Sequence, residues 1–156
     1  MTIHMGTTSI APEQSIAEIT RLLVAKGASA IASRYVDGVI HSVQFIYHVN
    51  EQPLSYELPC KLDGAFAYLQ AQRSPRARER HLDQDMEQAA RTAWRIQLRW
   101  VQAQIAQVEL QQAKIEEVFL PYLLIRGKTL YSLLEASKFN VLALSDQRVK
   151  KTLDVR

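Results

Sequence analysis

At 156 residues, with 47% hydrophobic and 22% charged positions, the chain has the composition of one folded domain that buries about 70% of its unfolded surface, which excludes a disordered polyelectrolyte. Its one cysteine, Cys60, excludes an internal disulfide. With no apolar run of about 18 residues and no secretory leader, the expectation is a cytoplasmic protein without a membrane partner.

Residues 1–14 are polar, carry Gly6 and the run Thr7-Thr8-Ser9 without periodicity, and read as a flexible N-terminal arm. Ser15 and Glu18 have capping-box spacing, so a helix is predicted to begin there. Ile16, Ile19, Leu22 and Leu23 recur at helical spacing up to Gly27, which suits a left-handed cap. From Ala28 to Cys60 the period changes to two. Asp37-Gly38 is the residue pair that a type I′ hairpin turn favours. The following strand alternates Val39, His41, Val43, Phe45, Tyr47 and Val49 on its expected core face. Asn50 to Pro53 supplies a second turn, and Leu54, Tyr56 and Leu58 alternate along a third strand.

Past Pro59, Asp63 is placed to cap a helical segment holding Phe66, Tyr68 and Leu69, and Ser74-Pro75 interrupts it, so residues 73–82 read as a link. Asp83 to Gln112 contains neither glycine nor proline and is predicted as one long helix. Its apolar residues span an arc of about 200°, wider than a surface helix needs. Cover from the sheet, from later helices and from a second subunit is therefore expected, making a homo-oligomer the anticipated state. Ile115 to Ile125 reads as an apolar helix broken at Pro121 and ended by Gly127. Thr129 is placed to cap a last short helix with Leu130, Tyr131, Leu133 and Leu134. Val141, Leu142 and Leu144 are apolar enough to dock, and residues 145–156 form a basic C-terminal tail. The expected fold is α+β: an N-terminal helix, a three-stranded antiparallel meander, a long helix, and two or more shorter C-terminal helices in one domain, 15–144.

Chemistry is harder to find. No nucleophile stands beside a base, no carboxylates are paired and no metal-ligand spacing occurs, so neither catalytic residues, metal nor cofactor is expected. His41 and His48 point to opposite faces of one strand, and Cys60 lacks a basic neighbour. Gly127-Lys128-Thr129 matches the end of a phosphate-binding loop, but Tyr122 stands where that loop needs a glycine. Trp94 and Trp100 suit the core better than an interface.

The long helix carries Arg91, Arg95 and Arg99 in one stripe with Gln88 and Gln102, and Arg73, Arg76, Arg78 and Arg80 precede it. Arginines about 6 Å apart suit successive phosphates, and Tyr35, Tyr47 and Tyr56 are candidates for base stacking, so nucleic acid is the leading expected partner. The same stripe also suits a solvated face paired with Glu87 and other acids. A second functional reading is a protein-interaction or inhibitory module acting on a host or phage protein through the apolar arc.

Arg76-Ala77-Arg78-Glu79-Arg80, Ala90-Arg91-Thr92-Ala93-Trp94-Arg95, Val108-Glu109, Glu116-Glu117-Val118-Phe119-Leu120-Pro121-Tyr122 and Gly127-Lys128-Thr129-Leu130 together resemble a family of small bacteriophage and mobile-element proteins without an assigned activity. The order of helix, Asp-Gly hairpin and third strand is also similar, so the resemblance runs through nearly the whole chain. It implies a non-enzymatic accessory protein on the DNA-metabolism side of a phage genome. Relatives tend to have a glycine where Gln111-Gln112-Ala113 stands here. The element order is similar, in topology alone, to the core of phage single-strand annealing proteins.

Overall fold

A computed structural model describes residues 3–140 and 142; the basic segment 145–156 and the apolar positions Val141 and Leu144 lie outside the described residues. The fold is α+β. Helix α1 (Pro12–Ala25) leads into strands β1 (Ala30–Val36), β2 (Val39–Val49) and β3 (Gln52–Pro59), which form an antiparallel sheet in the order β1-β2-β3. Helices α2 (Asp63–Ala71), α3 (Pro75–Arg80) and α4 (Leu82–Glu109) follow, then α5 (Ile115–Val118), a 3-10 turn at Leu120–Tyr122, the small hairpin β4 (Leu124–Ile125) and β5 (Lys128–Thr129), and α6 (Leu130–Ala136).

The meander forms as its pattern predicts. Asp37 and Gly38 take φ of 49° and 77°, the double left-handed turn that matches strand twist. Val43, Phe45 and Tyr47 of β2 face inward beside Tyr56 and Leu58 of β3, and all five are buried. Ile16, Ile19 and Leu23 of α1 and Trp94, Leu98, Val101 and Ile105 of α4 complete the core. Phe45 is its centre, stacked on Tyr56 with ring centroids 5.3 Å apart and edge-on to Tyr47 and Phe119. The register with β1 skips His41, between the pairs Arg34–Ser42 and Tyr35–Ile40, and this bulge breaks the expected alternation: Ile40 packs against the core while Val39 and His41 are exposed.

The apolar arc of α4 is covered from within. Helices α1 and α2 both pack on it, and Trp94 is buried while Trp100 meets Phe119 and Tyr122 edge-on. Of the arc, Met86 stays substantially exposed. The apolar demand that suggested a second subunit is thus largely met by the chain itself.

Four local expectations are corrected. Helix α1 begins at Pro12, where a missing N–H costs nothing, with Ala11 as its cap; Ser15 turns inward on the face of Ile16, Ile19 and Leu23, fully buried, and its hydroxyl has no partner among the described residues. Residues before α1 are tied down instead of loose. Gln88 Nε2 donates to the Gly6 and Thr8 carbonyls, both at 3.0 Å, and the Ile3 N–H donates to the Tyr68 hydroxyl at 3.0 Å. Residues 75–80, read as part of a link, are the short helix α3 with Pro75 in its first turn. Finally, Gly127 does not end a helix. Arg126 and Gly127 take φ of 51° and 78° in the β4–β5 hairpin turn, and the helix at 115 stops after one turn because Pro121 forces a 3-10 turn next to it.

One end signal is confirmed in detail, and the long helix, expected to reach Gln112, stops at Glu109. The Thr129 side chain accepts from the Ser132 N–H at 3.2 Å, capping α6. Where α4 ends, Gln111 adopts φ of 56°, the left-handed geometry that glycine takes without strain.

Candidate functional site

The arginines expected to meet phosphates are mostly engaged by the protein. Arg73 donates two 2.7 Å hydrogen bonds to the buried Asp85 carboxylate. Arg78 Nε donates to the backbone carbonyls of Gln70 at 2.9 Å and Arg73 at 3.2 Å. Arg95 pairs with Glu18 across the α1–α4 contact at 3.2 Å and is only 16% exposed. Arg91 stands 3.5 Å from Glu87 one turn earlier, and Arg99 bonds the Gln102 amide oxygen at 3.0 Å. Arg76 and Arg80 are exposed and have no side-chain partner among the described residues. Helix rise places Arg99 about 25 Å along α4 from its start, so the less engaged arginines do not make one row. Of the three tyrosines expected to stack, Tyr35 is 60% exposed, but Tyr47 and Tyr56 are buried, and the Tyr47 hydroxyl donates to the Leu23 carbonyl at 2.9 Å.

A different constellation adjoins the stripe at Glu87, in the first half of α4. The turn end of the β1–β2 hairpin projects past the helices, leaving Val36 and Val39 about two-fifths exposed, 40% and 41%. Across from them, the first half of α4 presents Met86, also 45% exposed, and Ala90. Together with Leu62 before α2, they line a groove of about 940 Å³. Its charges are one-sided: Asp37, Glu57, Asp63, Asp83 and Glu87 stand against Arg34 and Lys61, with His41 alongside. Asp63 and Asp83 begin helices, where the macrodipole favours carboxylates, so their presence has a structural reason as well. Glu57 is paired with Arg34 and Glu87 with Arg91, so Asp37, Asp63 and Asp83 carry the negative field of the groove.

Glu57 closes one end. Its Oε1 accepts from the Ser42 hydroxyl at 2.6 Å and from Arg34 Nη1 at 3.2 Å, a cross-strand network on β1, β2 and β3. Cys60 lines the same end, and its N–H donates to the His41 carbonyl at 2.8 Å. Burial pushes the Cys60 thiol up to about 12, so it is a neutral thiol at physiological pH and not a thiolate nucleophile. Among the described residues no group of three metal-ligating side chains comes together, and no helix is long and apolar enough to cross a membrane.

Comparison with protein-family models, with curated proteins and with solved structures finds no match.

The thiol offers a direct check on this end of the groove. In native protein at pH 8, Cys60 is expected to react with a disulfide reagent about a thousandfold more slowly than in urea-unfolded chain, because the thiolate fraction falls by that factor. The sign follows from a raised pKa. Stability from keeping Cys60 neutral is complete below the unfolded thiol's value of about 8.5, and it is lost as pH rises toward about 12. Rapid labelling of the folded protein would show that the site is open.

Sequence reading missed the groove residues Val36, Val39, Asp63, Asp83 and Met86 as a site. Asp37 was legible only as a turn residue and Glu87 only as a partner for arginine. The available signal was the acidic start of α2 and of α4, and it points equally to capping.

Proposed function

We propose that this chain is a protein-interaction module whose acid-rimmed groove takes a basic, apolar-anchored segment of a partner protein. The observation that carries this reading is the pairing of an apolar floor, Val36, Val39, Leu62, Met86 and Ala90, with an acidic rim in which Asp37, Asp63 and Asp83 have no ion pair among the described residues, while Glu57 meets Arg34 and Glu87 meets Arg91. An extended or helical segment with leucine-like anchors and flanking lysines or arginines complements both features. Removing Val36, Val39 and Met86 from water supplies the apolar gain, and the rim carboxylates speed encounter and set the charge preference.

In the nucleic-acid reading, Arg95 of the stripe is bonded to Glu18, and Arg73 and Arg78 of the preceding run are bonded to Asp85 and to backbone carbonyls. That reading therefore becomes an alternative outcome of one experiment. Fluorescence anisotropy would be measured with a labelled peptide alternating leucine with lysine and arginine, beside a labelled single-stranded oligonucleotide.

Peptide binding that weakens with salt is expected, with about a tenfold loss in the double variant Asp83→Lys, Glu87→Lys. The neutral pair Asp83→Asn, Glu87→Gln should fall between, and both pairs lie on the exposed surface of α4, so a thermal melt separates folding from binding. Equal affinity of the charge-reversed variant and the parent would overturn the proposal. So would tight, salt-sensitive binding of the oligonucleotide with none of the peptide.

A further inference from the structure

On the other side of the Arg34–Glu57 network lies a second cleft, of about 730 Å³, between the ends of the sheet strands, the middle of α4 and the β4–β5–α6 unit. Its charge is opposite to that of the groove. Arg34, Lys61 and Lys128 face it, and Glu57 is the one carboxylate in its lining. That carboxylate is already bonded to Ser42 and Arg34. Arg34 uses one Nη1 donor and remains 60% exposed, while Lys61 and Lys128 are exposed and have no ion pair among the described residues. Three cations thus retain donors for an outside anion.

The walls are apolar and partly aromatic. Ala93 and Ile96 of α4, Tyr122 and Tyr131 line the cleft. Tyr122 meets Trp100 edge-on, centroids 5.5 Å apart, and Tyr131 meets Phe139 at 6.1 Å, so each ring is braced by one aromatic neighbour. Tyr131 nevertheless keeps 47% of its surface open. The volume falls within the range of about 300–1,000 Å³ typical of small-ligand sites.

We infer that this cleft binds a small phosphomonoester on a flat aromatic body, of mononucleotide size. A guanidinium with free donors flanked by two ammonium groups suits a dianionic phosphate better than a single carboxylate, and braced tyrosines supply a stacking wall. The cleft shares Arg34 and Lys61 with the groove, and what sets it apart is Lys128, Tyr122 and Tyr131, which do not line that groove.

Isothermal titration with adenosine monophosphate and phenyl phosphate tests it, with adenosine, benzoate and inorganic phosphate alongside. Saturable binding of both esters is expected, weaker with salt, and exceeding that of adenosine and of inorganic phosphate by at least about tenfold. The double variant Lys61→Ala, Lys128→Ala should lose about tenfold in ester affinity, and Tyr131→Ala should lose the advantage of the esters over inorganic phosphate. Both lysines and Tyr131 are exposed, so folding is not at stake. No heat with either ester, an unchanged affinity in the double lysine variant, or inorganic phosphate binding as tightly as the esters would each overturn the assignment. Benzoate binding more tightly than phenyl phosphate would overturn the choice of phosphate. The Asp83→Lys, Glu87→Lys variant should bind the esters as the parent does, which keeps failure here distinct from failure of the peptide reading.

Discussion

Phe119→Ala is expected to lower the unfolding free energy by about 4 kcal/mol, the scale of a large aromatic removed from a packed core. The ring is fully buried and meets Phe45 at 5.2 Å, Trp100 at 5.8 Å and Tyr56 at 6.5 Å between centroids, so it touches β2, β3 and α4 at once. It is delivered by the short turn between α5 and Pro121, a segment too brief to be stable by itself. Losing it therefore creates a cavity beneath the sheet and also loosens the β4–β5–α6 unit, which meets β3 through the bridge from Leu123 to Tyr56 and the neighbouring contact of β4. Against a total of about 5–15 kcal/mol, such a change is a large fraction of the stability. Urea unfolding monitored by tryptophan fluorescence measures it. Phe119→Leu, which keeps most of the volume, should cost about 1.5 kcal/mol. A loss below about 1 kcal/mol for the alanine variant would mean that this ring does not fasten the C-terminal unit to the core.

What was legible in the sequence was local and periodic. Alternation from Val43 to Tyr47, the Asp37-Gly38 pair and the long stretch free of glycine and proline each determine geometry within a few residues and formed as read, whereas a bulge at His41 left Val39 and His41 exposed. The capping box failed for the same reason that it looked persuasive. Ser15 and Glu18 have the right spacing, but spacing does not reveal that Ser15 shares a face with Ile16, Ile19 and Leu23, nor that Glu18 has an arginine waiting 77 residues away. The arginine stripe illustrates the limit again. Steps of four from Arg91 to Arg99 place three side chains on one side of a helix, yet what stands opposite is set by the packing of α1. Tyr47 and Tyr56 lie on the apolar side of the sheet by parity alone, which the alternation itself implied. The groove and the cleft were illegible because each draws on four or more elements. No spacing in the chain connects Asp37 with Asp63 and Asp83, or Arg34 with Lys61 and Lys128.

The pair Arg73 and Asp85 should show an asymmetry between its two members. Asp85 is 2% exposed in the first turn of α4 and accepts from Arg73 Nε, Arg73 Nη2 and Gln70 Nε2, each at 2.7 Å. Arg73 is a third exposed, 33%. Asp85→Ala is expected to cost about 2 kcal/mol, since charged hydrogen bonds are lost but the guanidinium can turn to water. Arg73→Ala should cost more, because it strands a buried carboxylate whose other partner is one neutral amide. The pH dependence distinguishes this from simple loss of packing. The bonds from Arg73 hold the Asp85 carboxyl below its ordinary value, so the stability from the pair is complete above the unfolded pKa of about 3.9 and is lost as pH falls through the lower folded value. The gap in melting temperature between the parent and Arg73→Ala should consequently be widest near neutrality and shrink under strong acid. A gap that stays constant from pH 7 down to pH 2 would mean that the ion pair is not what fastens the end of α2 to the start of α4.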